Sequence, residues 1–134
     1  MQKSYIDKLA FIDLKNKKLL STLSKGKDKW YIPGGKREDG ETDEQALIRE
    51  VKEELQVDII PESIVPYGIF EAQAHGKPEG TIVRMTCYTA LFIGNLQTSA
   101  EIEEYRYVPY EWKEKSSLVD KLIFDDLKEK GLIK

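Results

Sequence analysis

The chain is poor in the residues that most often announce a function class. It has one cysteine, Cys87, and one histidine, His75. A lone cysteine excludes an intrachain disulfide, and the apolar stretch MTCYTALFI around it reads as the setting of a buried, inert thiol. His75 falls in a predicted loop, where a single histidine reads as a surface residue. No apolar run approaches the roughly 20 residues of a membrane span, and the start MQKSYIDK has no signal-peptide core. Neither sign of charge prevails. The 21 basic and 24 acidic residues leave a net charge of −3, with no basic stripe to grip a nucleic-acid duplex. Repeats, linkers and low-complexity tracts are also missing. These absences leave a single domain over residues 1–134, expected in the cytoplasm and long enough to bury a real core.

What the chain does have is acid at helical spacing. Thr42 followed by Gln45 is a capping-box pair, so a helix is predicted from Asp43. At about 100° per residue, Leu47, Ile48, Val51 and Leu55 form an apolar arc that seats the helix on a core. Glu50, Glu53 and Glu54 fall on the neighbouring arc, where like charges one turn apart repel. Arg49 offsets only part of that repulsion. A solvated acidic face is the ordinary reading of such a run. A shared divalent cation is the reading that gives the clustering a purpose, and hard oxygen ligands favour Mg²⁺ or Mn²⁺.

Around this helix the patterning predicts strands at 4–13 and 18–24 about the polar turn Lys15-Asn16-Lys17. A short strand at 30–32 runs into Pro33-Gly34-Gly35. Strands at 67–75 and 81–93 are joined by a loop over 76–80, and another strand covers 105–108. Leu118, Leu122, Ile123 and Leu127 mark an amphipathic helix over 117–130, with Gly131 as its cap. This order fits an α/β fold with a mixed β-sheet sandwiched between α-helices.

Residues 35–57, GKREDGETDEQALIREVKEELQV, resemble the Nudix box, G-x5-E-x7-R-E-U-x-E-E-x-G-U, where U is a bulky aliphatic. Gly35, Glu41, Arg49, Glu50, Val51, Glu53, Glu54 and Val57 match, and Gln56 stands where the pattern has its last glycine. The resemblance implies the Nudix fold and metal-dependent hydrolysis of a diphosphate linked to another group. It implies metal ligation by Glu50, Glu53 and Glu54, with the Gly35 carbonyl as a further ligand and one carboxylate as base. Arg49 would orient the glutamates and Glu41 would fix the loop onto the helix. A further acid often lies outside the box in this family, and of Glu101, Glu103 and Glu104 the choice falls on Glu101. Glutamine at 56 puts the exit from the helix in doubt, because a left-handed residue is expected there.

Substrate is less legible. The segment before the box resembles MutT-like nucleoside triphosphate pyrophosphohydrolases, but Thr22 and Leu23 replace their basic pair. Lys25, Lys27 and Lys29 carry the charge later and read as a solvated loop. Features of the ADP-ribose, dinucleoside polyphosphate, coenzyme A and NADH branches are missing. This leaves a nucleoside triphosphate as favoured substrate, ahead of a nucleoside diphosphate conjugate and of a non-catalytic sensor module. Trp30, which could stack on a base or pack in the core, and Arg84 are the substrate-binding candidates. An exposed sheet edge leaves room for a homodimer, although no residue pattern argues for one.

Overall fold

The computed structural model describes residues 3–99 and 101–134. In chain order the first elements are β1 (Ser4–Ile12), β2 (Leu14–Lys15), β3 (Lys18–Ser24), β4 (Trp30–Tyr31), β5 (Gly34–Gly35) and α1 (Asp43–Leu55). There follow β6 (Asp58–Ile59), β7 (Val65–Gln73), β8 (Thr81–Thr89), β9 (Phe92–Ile93), β10 (Ile102–Val108) and α2 (Leu118–Glu129). Short 3₁₀ turns occupy Pro61–Ser63 and Tyr110–Lys115.

β1 ends in Leu9-Ala10-Phe11-Ile12, each of them buried. A strand apolar on both faces belongs inside a sheet covered on both sides. β1 pairs parallel with β8, from Ser4↔Thr81 to Ile12↔Thr89, and antiparallel with β5. β7 adds antiparallel to β8, giving the mixed order β5-β1-β8-β7. Alternation then sends Leu9 and Phe11 to one face, where they pack with Ala46, Leu47, Val51 and Leu55 of α1. Ala10 and Ile12 go to the other, with Met85, Cys87 and the α2 residues Ile123, Phe124 and Leu127. Each large side chain so buried contributes roughly 1.5–3 kcal/mol. The fold is therefore α/β, a mixed sheet between two helices. Cys87 lies in the second core with its thiol pushed up to about 12 by burial, which makes it inert.

Several local expectations need correcting. β1 does not pair with β3. The polar turn instead closes the small β2–β3 hairpin, with Asn16 (φ 53°) and Lys17 (φ 59°) both left-handed, as a primed turn requires. β3 joins β10 and β4 in a second, antiparallel sheet. The strand over 81–93 stops after Thr89, and β9 beyond it pairs with β6. In α2, Leu118 and Leu122 are exposed, and Val119, Ile123, Phe124 and Leu127 form the buried arc, about 100° round the helix. Among the described residues, no helix is long and apolar enough to cross a membrane.

Candidate active site

α1 begins where its cap requires. Gln45 N donates to Thr42 Oγ1 at 3.1 Å, and Thr42 N donates to Gln45 Oε1 at 3.0 Å. The apolar arc holds the helix against β1, so its acidic arc comes to lie over β5. There Arg49 gathers the loop and the helix together. Its Nε and Nη2 donate to the two Glu41 oxygens at 2.7 and 2.9 Å, and Nη2 also donates to Lys36 O at 3.0 Å. Its Nη1 reaches Glu50 Oε1 at 3.0 Å and Glu53 Oε1 at 3.3 Å. The fork holds the Glu41 carboxyl down at about 2, and Glu41 in turn accepts from Glu38 N at 2.7 Å.

The two glycines of β5 meet different neighbours. A Cβ on Gly35 would lie 2.6–2.8 Å from the Glu50 carboxyl group. Gly34 N donates to Glu54 Oε1 at 3.0 Å. Burial raises the Glu50 carboxyl above its usual range. Burial also pushes Glu54 up to about 8, against the Gly34 hydrogen bond and with help from Glu50, Glu53 and Glu101. Glu50, Glu53, Glu54, Ser99 and Glu101 line one cleft of about 290 Å³. The structure thus brings Glu101 to the helix carboxylates. Glu104 instead pairs with Arg106.

The cleft continues through Glu54 into a space of about 190 Å³ bounded by Lys8, Thr22, Ser24, Tyr31 and Gly35. Beyond Lys8, Tyr31 and Met85 lies a narrower, mainly apolar slot of about 130 Å³ with His75, Val83 and Leu118 on its walls. Neither substrate-binding candidate lies here. Trp30 is 7% exposed and packs edge-to-face on Trp112, ring centroids 5.6 Å apart, because alternation on β4 turns Tyr31 and not Trp30 toward the cleft. Arg84 lies on the opposite face of β8 from Met85, bonded to Glu71 at 2.7 Å and set over the Tyr5 ring at 4.1 Å. Lys8 is the lining residue that sequence reasoning passed over; Tyr31 shared with Trp30 the reading of a base-stacking aromatic, and His75, read as a surface residue, lines the slot.

One buried acid stands behind this wall. Asp120, at 0% exposure, accepts from Ile32 N at 3.0 Å through Oδ2, while its Oδ1 has no partner among the described residues. Burial pushes its carboxyl up to about 7. Its ordinary value, 3.8, also describes the unfolded chain, so the folded protein resists ionisation and loses stability as pH rises from about 4 through 7. Asp120→Asn keeps an acceptor for Ile32 and cannot ionise. The difference in melting temperature, variant minus wild type, is expected to climb steadily from pH 5 to pH 8. A constant difference would show that Asp120 does not titrate in this range.

The donor set suits a hard divalent cation: four carboxylates face one cleft with no soft ligand on its walls, and the glycine turn bounds the adjoining space. Among the described residues, no three acidic, imidazole or thiolate groups converge as ligands in the present arrangement. Arg49 engages Glu50 and Glu53, and Gly34 engages Glu54. A cation placed in the cleft would compete with Arg49 for Glu50 and Glu53.

Fold and site together define an α/β protein of the MutT/Nudix architecture. The NUDIX domain profile matches residues 9–125, most of the chain, and the chain belongs to the Nudix hydrolase family. It resembles the solution structure of the E. coli ORF135 protein at TM-score 0.72 and 22% identity, covering 94% of this chain and 92% of that one. It resembles the MutT protein of Methanosarcina mazei Go1 at TM-score 0.71 and 21% identity, covering 98% of each chain. These likenesses concern the fold. A curated relative, an 8-oxo-dGTP diphosphatase from Proteus vulgaris, is 60% identical over 30 residues, which is 22% of this chain and only 27% of that protein.

Proposed function

We propose that this protein hydrolyses a nucleoside diphosphate linkage in the presence of Mg²⁺ or Mn²⁺, with a nucleoside triphosphate as the favoured substrate. The observation that carries this reading is the composite cleft. Four carboxylates crowd one end, Lys8 and hydroxyl groups occupy the middle, and an apolar slot closes the other end. That gradient suits a polyphosphate attached to a planar ring. The short match to an 8-oxo-dGTP diphosphatase supports the triphosphate over other diphosphate compounds.

In this reading Glu50, Glu53, Glu54 and Glu101 would hold the cation, with the Gly35 carbonyl beside them. The bound ion would neutralise charge on the phosphate oxygens and acidify a water. Arg49 orients Glu50 and Glu53 while its own position is fixed by Glu41. Water attacks phosphorus, the bond to the bridging oxygen breaks, and a carboxylate of the set accepts the proton. Burial raises the Glu50 carboxyl above its usual range, and its place over the Gly35 turn makes it the proposed acceptor. Tyr31 and Met85 lie along the path to the slot that would receive the base.

The test is turnover of canonical and oxidised nucleoside triphosphates, nucleotide sugars, ADP-ribose and dinucleoside polyphosphates, with each metal in turn. Release of a nucleoside monophosphate and pyrophosphate from a triphosphate is the expected result. Activity confined to a conjugate would overturn the substrate and keep the chemistry. A folded protein that binds nucleotide without turnover at any metal concentration would make it a sensor.

A further inference from the structure

The departure from the Nudix pattern at position 56 has a structural counterpart. Gln56 ends α1 at φ 59°, ψ 33°, a left-handed conformation that glycine adopts without strain. Its backbone N–H closes the helix on Lys52 O at 3.0 Å, which glycine would do equally well. Its side chain does something glycine cannot. Gln56 Nε2 donates to Thr98 O at 2.8 Å, and beside it Gln97 N donates to Leu55 O at 3.0 Å.

These two bonds tie the end of α1 to the segment that leads directly into Ser99 and Glu101. Both residues line the acidic cleft with Glu50, Glu53 and Glu54. Past the cleft, Lys25 N donates to Glu101 O at 2.9 Å, so the Glu101 segment hangs between the α1 terminus and the end of β3. The Gln97 bond is made by backbone alone. The Thr98 bond depends on the glutamine, and it is the contact that offsets a strained terminus.

We propose that Gln56 is a positioning residue, whose side chain sets where Glu101 stands relative to the α1 carboxylates. The catalytic consequence rests on the function proposed above; the structural one does not. Two variants separate strain from tether. Gln56→Gly removes both the strain and the bond to Thr98. Gln56→Glu keeps the length and the strain, and replaces the donor by a group that cannot donate.

Gln56→Gly is expected to melt within about 3 °C of wild type, because the strain and the bond that offsets it are lost together. Gln56→Glu is expected not to raise the melting temperature. Both variants are expected to lower kcat about tenfold with KM little changed, and to weaken Mn²⁺ binding by a similar factor. In the metal-free protein, the Lys25 amide, which donates to Glu101, should exchange with solvent faster in both variants than in wild type, referenced to core amides of α1. Gln56→Lys restores a donor on a long stem and should recover kcat toward wild type.

Unchanged Lys25 exchange in both variants would overturn the proposal. So would faster exchange with kcat and Mn²⁺ affinity at wild-type levels, since the tie would then be structural only. If the wild type hydrolyses no diphosphate compound, the proposed function fails on its own. Amide exchange and Mn²⁺ binding then still decide the role of Gln56.

Discussion

Replacing Glu54 with glutamine is expected to stabilise the metal-free protein at alkaline pH while removing its turnover. The Glu54 carboxyl is lifted to about 8 by burial and by its acidic neighbours, and in the unfolded chain it sits near 4.5. At pH values below about 4.5 both states are protonated and nothing is lost. As pH rises toward 8 the unfolded chain ionises and the folded one resists, so stability falls across that window and levels off above it. One pKa unit corresponds to about 1.4 kcal/mol, and after allowance for partial exposure the loss is on the order of a few kcal/mol. Glutamine can still accept the Gly34 hydrogen bond and carries no charge. Glu54→Gln should therefore flatten the alkaline decline in melting temperature, seen by scanning calorimetry from pH 5 to 9. Its turnover should fall on the order of 10²-fold or more, because it loses a proposed ion ligand. Wild-type turnover in the variant would remove Glu54 from the ion site. An identical pH slope in both proteins would mean that the carboxyl is already ionised at neutral pH.

A buried carboxylate with no cation beside it costs stability, and at Arg49 the neighbouring acids have one. Without an ion, the guanidinium is the only cation touching Glu50 and Glu53 among the described residues. Glu41 is its bidentate partner and touches no other cation among the described residues, so the fork would stay anchored if the two helix carboxylates turned to the proposed ion. A lysine at 49 would lack the second donor of that fork.

How much of this was legible in the sequence follows from how far apart the interacting residues lie. The start of α1 needed only Thr42 and Gln45, three residues apart, and the buried arc of Leu47, Val51 and Leu55 needed only helical period. Gly131 past the end of α2, at φ 73°, was equally local. The parallel pairing of β1 with β8 joins residues more than 70 positions apart, and nothing in either strand names its partner. That is why the first two strands read only as neighbours about a polar turn, and why Arg84 read as a pocket residue. Its partners Asp7 and Glu71 are known only once β1, β8 and β7 are set side by side. Trp30 took the core role, one of the two read for it: alternation on β4 was visible, but which face met the cleft depended on Trp112. In α2 the reading placed Leu118 and Leu122 on the apolar face with Ile123 and Leu127, whereas Val119 and Phe124 complete the buried arc.

Gly34 and Gly35 are expected to part company under the same substitution. An alanine Cβ at Gly34 would lie 1.9 Å from Leu9 O and 2.8 Å from Leu9 C, at a φ of +145°. Those atoms are backbone of the central strand and cannot yield without breaking the Ala10↔Gly34 pairing. Gly34→Ala should cost about 4 kcal/mol or more, a large part of the stability of an ordinary domain. That corresponds to a melting temperature more than about 10 °C lower. At Gly35 the obstructing atoms are the tip of Glu50, a flexible side chain that can swing aside. Gly35→Ala should therefore fold and melt close to wild type. Its turnover should fall about 10²-fold, the scale expected when a reacting carboxylate is displaced by an ångström. Melting curves and steady-state kinetics on the two variants decide both points. A Gly34→Ala protein as stable as wild type would mean that β5 is not held against β1 as described. A fully active Gly35→Ala protein would mean that the place of Glu50 over the glycine turn is incidental to the chemistry.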